Sequence, residues 1–141
     1  MIEVVNRQRR RTMDPKRWQA FAEKALKALG RDSNNIAIAF VSNRQIRELN
    51  KRFRGVNQAT DVLSFPANYE EFEQSAARSL GDVAISVERA ASQASESGLA
   101  FDVEVAQLIL HGLLHLCGYD HETDNGEMNR LELRLRRRLG I

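Results

Sequence analysis

The feature that most constrains this chain is the placement of its histidines: all three, His111, His115 and His121, lie in one short stretch. The first two are four residues apart in a run rich in Leu and Ile, so on a helix they share one face with Cβ atoms about 5–6 Å apart. Gly118 permits a turn out of that helix, which lets His121 approach the same ion. Three imidazole ligands at about 2.0–2.1 Å suit Zn²⁺ and leave a fourth position for water, as in catalytic zinc sites. The stretch therefore predicts one zinc ion per chain on a buried helix.

A structural zinc site is the alternative, and it would need a fourth protein ligand. Cys117 lies two residues beyond His115, about 200° around a helix with 3.6 residues per turn, so it should point away from the ion. Asp120 and Asp124 could close the site. The sequence alone does not exclude that role. They are more naturally carboxylates that accept the free ring N–H of a ligating histidine, a role that carboxylates often have beside metals.

The histidine pattern resembles the metzincin peptidase signature H-E-x-x-H-x-x-G-x-x-H, with one substitution. Gly112 stands where those peptidases carry the glutamate that acts as general base. With that glycine, the run from His111 to His121 resembles, position for position, the H-G-x-L-H-L-x-G-Y-D-H signature of the YbeY family of rRNA-maturation endoribonucleases.

Two further motifs carry the same resemblance. The YbeY family has an aromatic-Arg-Gly motif followed by P-T-D/N-V-L-S-F-P, and this chain has Phe53-Arg54-Gly55 and then Ala59 to Pro66, with Ala59 in place of the usual proline. The segment Leu80-Gly-Asp-Val resembles the family's L-G-D-I/V. The family's catalytic arginine maps onto Arg54, although Arg52 is so close that the local sequence alone would not choose between them.

The resemblance implies a zinc-dependent, single-strand-specific endoribonuclease that acts in 16S rRNA 3′-end maturation and ribosome quality control. Its implied partners are single-stranded RNA, such as the 16S rRNA precursor, and the small ribosomal subunit. We expect a zinc-bound hydroxide to attack the phosphodiester while Arg54 stabilises the developing charge, with Asp61 or Asp120 as candidates for proton transfer. The alternatives are a non-catalytic, metal-stabilised ribosome-assembly factor and a zinc peptidase, against which the missing glutamate argues.

Composition favours an ordinary globular chain. At 141 residues, 43% hydrophobic and 28% charged, we expect a single domain spanning 1–141. A single cysteine excludes an internal disulfide, and neither a signal peptide nor a membrane span is evident, so we predict a cytoplasmic protein with no membrane partner. Basic residues crowd both ends of the chain, which permits a phosphate-binding face without proving one.

Periodicity and capping residues predict nine elements in the order β-α-β-α-β-β-α-α-α. This order predicts an α+β fold with one mixed sheet of about four strands packed with about five helices, and the resemblance implies a metalloprotease-like arrangement with the zinc site on the central helix. The polar segment 67–79 is either a mobile flap or a linker. The last helix should start near Asp124, with Glu127 as its partner in a capping box. The predicted strands span 2–6, 36–41, 60–66 and 80–86, and the predicted helices 15–29, 42–54, 87–97, 102–117 and 124–139.

Overall fold

The computed structural model describes residues 1–67 and 79–141. The predicted order of nine elements is confirmed over these residues. The strands are β1 (Ile2–Asn6), β2 (Asn35–Val41), β3 (Val62–Pro66) and β4 (Ser79–Ser86), and the helices are α1 (Pro15–Ala28), α2 (Asn43–Arg54), α3 (Val87–Ser97), α4 (Phe101–Leu116) and α5 (Glu127–Leu139).

The four strands form one mixed sheet in the order β1-β2-β4-β3, which confirms the predicted α+β class. β1 and β2 are parallel, as are β2 and β4, whereas β3 runs antiparallel to β4 at the edge of the sheet. The larger core lies between one sheet face and helices α1, α4 and α5, and a smaller cluster packs α2 on the other face through Ile46 and Leu63. The edge strand β3 therefore contacts α2 on one face of the sheet and α4 on the other.

Capping residues set most of the helix boundaries. The Asp14 side chain accepts a hydrogen bond from the Lys16 N–H at the start of α1, and Ser42 and Gln45 form the predicted capping box at the start of α2. Such caps satisfy backbone donors that have no partner within the helix. α4 has no side-chain cap and is held by burial, since most of its residues lie in the core.

The predicted start of α5 is wrong, because that helix begins at Glu127, three residues after Asp124. Residues 124–126 instead form a turn. In it, the Asp124 carboxylate accepts hydrogen bonds from the N–H groups of Gly126 at 2.9 Å and Met128 at 2.8 Å. Glu127 accepts from the N–H of Asn125 rather than from that of Asp124. Asp124 therefore caps α5 although it lies three residues before the first residue of the helix.

The N-terminal arginines contact the start of α4. Arg17 forms a 2.7 Å ion pair with Asp102, and the Arg11 guanidinium lies 4.1 Å from the ring centroid of Phe101. These contacts give part of the basic N-terminal cluster a packing role. The predicted flap or linker falls almost wholly on residues 68–78, outside the described part of the chain.

Among the described residues, no single helix is long and apolar enough to cross a membrane. α3 and α4 meet the length and composition together, but the chain bends by 116° between them.

Strand β4 contains a bulge near the start of its pairing with β2. Asn35 pairs with Ser79 and Ile36 with Gly81, so Leu80 has no partner on β2. Gly81 has φ +131°, and a Cβ there would lie 2.1 Å from the carbonyl oxygen of Phe65. Only glycine fits this close approach, since residues with a side chain rarely adopt that backbone conformation.

We predict that Gly81→Ala lowers the free energy of unfolding by at least about 2 kcal/mol, since it adds both backbone strain and a clash with β3. Gly98→Ala is the control: that glycine also has a positive φ, but no atom lies within 4 Å of an added Cβ, so its cost should be about 1 kcal/mol. Denaturant unfolding of the two variants measures the difference, and equal costs would contradict the bulge argument.

Candidate metal centre and cleft

Helix α4 presents His111 and His115 on one face, as predicted. Their Nε2 atoms lie 3.1 Å apart, and their rings meet edge to face with centroids 4.7 Å apart. After Leu116 the helix ends at Cys117, and Gly118 takes φ +93°. The Tyr119 N–H bonds back to the Leu114 carbonyl at 3.1 Å, a closure that turns the following loop back towards the helix.

That loop brings His121 to the same point. One ligand atom from each of the three histidines lies within 4.8 Å of the other two. Tetrahedral zinc with 2.0–2.1 Å bonds needs ligand nitrogens about 3.3 Å apart, so His111 and His115 are already at the required spacing. His121 lies on an exposed loop, with its ring centroid 6.0 Å from that of His111 and 5.7 Å from that of His115. The donor set fits three-imidazole zinc with a fourth position open.

Cys117 does not belong to this cluster. Its side chain packs against the large core and, with Leu29 and Arg31, lines a separate cavity of about 150 Å³. Burial raises the pKa of its thiol, which disfavours the thiolate that would bind a metal.

Glu132, which the sequence arguments did not single out, is the carboxylate in contact with a candidate ligand. Its two oxygens lie 3.2 and 3.1 Å from Nδ1 of His111. Arg136, one turn further along α5, reaches the same carboxylate at 3.4 Å. Glu132 is only 7% exposed. The position could have been noticed in the sequence, since Met128, Glu132 and Leu135 have the spacing of a buried helix face.

The two predicted aspartates have other contacts. Asp120 accepts a hydrogen bond from the Glu122 N–H at 3.0 Å, and Asp124 caps α5. Neither bonds to a histidine ring in the structure, so the expectation that they would accept the free ring N–H is not met for His111, where Glu132 has that place. Asp120 is nevertheless close enough to His115 to favour its charged form.

The pKa values of the two α4 histidines are shifted in opposite directions. The hydrogen bond with Glu132 raises the pKa of His111. Burial, followed by the neighbouring imidazoles His111 and His121, lowers the pKa of His115. Burial disfavours the charge on Glu132, but its hydrogen bond from His111 and its proximity to Arg136 together hold the pKa of that carboxyl below its usual range.

The histidines lie in an open cleft of about 790 Å³. Strand β3 forms one wall, α4 the floor, and α5 and the His121 loop the other wall. Arg54, at the end of α2, lines the cleft, whereas Arg52 does not, and the guanidinium of Arg52 lies instead 5.5 Å from the centroid of the Phe53 ring. The structure thus places Arg54, and not Arg52, in the cleft with the three histidines.

Charge in the cleft favours a cation. Among the described residues, five carboxylates line it against two guanidinium groups. One of these acids, Glu104, is buried on α4, and burial followed by the nearby Asp61 raises its pKa. A phosphate entering this cleft meets net negative charge unless a metal ion balances it. The carboxylates are Asp61, Glu104, Asp120, Glu122 and Glu132, and the guanidinium groups are Arg54 and Arg136.

Gly112, the position of the peptidase glutamate, faces the sheet and not the cleft. A Cβ at this position would lie 2.8 Å from Cγ1 of Val83 and 3.3 Å from Oγ of Ser64. The Ser64 hydroxyl also donates to the Gly112 carbonyl at 3.1 Å. A glutamate here would be forced against β4, so this packing excludes the peptidase base at that position.

Known proteins with similar sequences share one description. A family model described as Endoribonuclease YbeY matches residues 3–140. A protein named Endoribonuclease YbeY from Clostridioides difficile is 43% identical over 114 residues, covering 78% of this chain and 74% of that protein. One of the same name from Koribacter versatilis is 44% identical over 121 residues, covering 86% of this chain and 74% of that protein.

A solved structure supports the fold independently. The solution structure of a protein from Thermotoga maritima matches with a TM-score of 0.63 at 25% sequence identity, covering 99% of this chain and 89% of the other. The similarity therefore extends over the whole architecture.

We predict that purified protein holds about one zinc per chain and that His111→Ala or His115→Ala loses most of it, because two protein ligands rarely hold zinc tightly. Cys117→Ser is the control; it should keep its zinc and lose stability, because a hydroxyl enters an apolar contact. Elemental analysis measures the zinc content of each variant, and thermal unfolding measures its stability. A folded Cys117→Ser protein with less zinc would indicate a fourth ligand and a structural site.

Zinc affinity should fall as the pH is lowered, since each ligand must be neutral to bind. The pKa of His111 is raised, so a proton already competes with zinc for this residue above the ordinary histidine pKa of about 6.5. The pKa of His115 is lowered, so a proton competes with zinc for that residue only below the ordinary value. Chelator competition across pH measures this. An affinity that does not change between about pH 5 and 8 would contradict imidazole ligation.

Proposed function

Because the chain belongs to the YbeY family of endoribonucleases, we propose that it is a zinc-dependent, single-strand-specific endoribonuclease formed by one domain, residues 1–141. The observation that carries this proposal is the cleft that three histidines share with Arg54. His111, His115 and His121 would hold one zinc ion. When bound there, zinc supplies Lewis acidity at a phosphoryl oxygen and lowers the pKa of a coordinated water.

Arg54 has the role of stabilising charge on the phosphate. Attack at phosphorus places negative charge on the non-bridging oxygens, and a guanidinium fork matches their geometry. Arg54 lines the cleft from the side of α2 and β3, and the histidines lie on its α4 side. A substrate phosphate lying between the two walls would be within reach of both.

Asp61 is the better placed of the two proposed proton-transfer groups. It lies on the β3 side of the cleft, near His111. One oxygen accepts the Val62 N–H at 2.8 Å and a hydrogen bond from the Thr60 hydroxyl at 3.2 Å. These bonds fix the carboxylate, whose second oxygen accepts no hydrogen bond from residues 1–67 or 79–141.

The proposed substrate is single-stranded RNA, specifically the 16S rRNA precursor during 3′-end maturation and ribosome quality control in the cytoplasm, with the small ribosomal subunit as partner. Family membership supports RNA as the substrate class. The open cleft supports an extended strand, whose phosphates could pass between Arg54 and the metal ligands.

A zinc peptidase and a non-catalytic ribosome-assembly factor are the two alternative functions for the same residues. The peptidase is disfavoured because Gly112 packs against Val83. The ribosome-assembly factor without catalysis would need the metal for stability alone, and in that case Arg54 could be removed without loss of any reaction.

We predict that Arg54→Ala keeps its fold and zinc but cleaves single-stranded RNA about 10²–10³-fold more slowly, the usual effect of removing one preorganised electrostatic contact. Arg52→Ala is the matched control. Because its side chain lies outside the cleft, it should weaken RNA binding modestly, and more at low salt than at high salt.

Single-turnover cleavage of a labelled strand by both variants and wild type, at matched zinc, decides the question. A larger decrease of the cleavage rate in Arg52→Ala than in Arg54→Ala would identify Arg52 as the catalytic arginine. Equal rates in wild type, both arginine variants and His115→Ala would indicate a contaminating nuclease and favour the assembly factor.

A further inference from the structure

Glu132 and Arg136 on α5 form a charged pair that the proposed reaction does not use. Glu132 is almost fully buried, yet its neighbours on the same helix face, Met128 and Leu135, belong to the apolar core. Taking the Glu132 carboxylate out of water carries a desolvation penalty, and the Arg136 guanidinium that pairs with it belongs to a side chain that is still 34% exposed. Nε of Arg136 is also buried with no hydrogen-bond partner among the described residues, which adds a further cost. The pair is therefore a poor device for stability alone.

The contact of Glu132 with His111 has a definite chemical consequence. An ionised carboxylate can only accept hydrogen bonds, so Nδ1 of His111 must carry the proton in the 3.1 Å contact. That tautomer leaves the lone pair on Nε2, the atom that faces Nε2 of His115. The ring is then held in one orientation, with its unprotonated Nε2 facing the metal position.

Arg136 holds the carboxylate in turn. It is four residues from Glu132 on α5 and reaches the oxygen Oε2, which also contacts the ring of His111. The oxygen is thus held from both sides, by α4 through His111 and by α5 through Arg136. Because the histidine pair is on α4, this contact ties the last helix to the metal position.

We propose that Glu132 is a positioning residue for the metal centre. Glu132 orients the ring of His111 so that its Nε2 atom binds the metal, and Arg136 holds the Glu132 carboxylate in place. This inference rests on the metal site of the proposed function, but it does not depend on the reaction or the substrate. It assigns to α5 a role in setting metal affinity.

The test is zinc affinity measured by chelator competition in metal-defined protein without RNA. Glu132→Leu should bind zinc about 10–100-fold more weakly, the usual effect of removing such an outer partner. Glu132→Gln should lose less, because its amide oxygen can still accept from the ring. The double variant Glu132→Leu/Arg136→Met replaces the charges with apolar groups of similar size. It should bind zinc as weakly as Glu132→Leu, while its metal-free form unfolds at the same temperature as wild type or higher.

A second measurement reports the tautomer directly. Long-range ¹H–¹⁵N correlation of the metal-free protein at about pH 8.5, above the ordinary histidine pKa, should show His111 protonated on Nδ1. In Glu132→Leu the signal should move towards the Nε2–H form, which imidazole favours in solution. Arg137→Met, an exposed neighbour on α5, should leave affinity and tautomer unchanged.

The outcomes separate this inference from the proposed function. Equal zinc affinity in wild type and folded Glu132→Leu would overturn the positioning role alone. So would a double variant whose metal-free stability and zinc affinity fall together, since that is the result expected of a purely structural pair. If wild type itself binds no zinc, the metal site of the proposed function fails first.

Discussion

The close packing of α4 against the sheet determines where the functional groups lie. Gly112 brings the helix backbone against Val83 and Ser64, and this contact fixes the rotation of α4 about its axis. With that rotation, His111 and His115 line the cleft beside β3. A larger residue at position 112 would push the helix from β4 and move both imidazoles. The glycine that excludes the peptidase base thus also sets the positions of two candidate metal ligands.

Electrostatics explains why a metal and an arginine belong together in this cleft. Glu132 contacts His111, and Asp61 and Asp120 accept hydrogen bonds from backbone N–H groups, but these carboxylates also repel a phosphate. The two groups that can reverse this are a divalent ion on the three imidazoles and the guanidinium of Arg54, on opposite sides of the cleft. Each would attract the substrate, and both would act on charge that develops during the reaction. If the proposed function is correct, RNA binding in so acidic a cleft should depend on the metal.

The sequence predicted most of the fold, because its signals are local. Asp14 and the Ser42–Gln45 box mark helix starts with side-chain hydrogen bonds, and Pro15 suits the first position of α1. The histidine spacing follows from one helix and one glycine turn. The helical spacing of Glu132 with Met128 and Leu135 indicates a buried position, but its contact with His111, 21 positions away, has no local signal in the sequence. The start of α5 was misplaced because Asp124 caps the helix through a turn rather than from its first position. Arg54 could not be separated from Arg52 by local sequence, since only the path of the chain past β3 decides which side chain reaches the cleft.

The central claim is that the three-histidine centre carries the reaction. Its most direct test is to strip the protein of metal, add zinc in steps, and follow cleavage of a labelled single-stranded RNA at each step. The account predicts a rate that rises in proportion to zinc up to one equivalent per chain and then levels off, with no such rise in His121→Ala. Full cleavage by metal-free protein, or the same zinc response in His121→Ala, would contradict it.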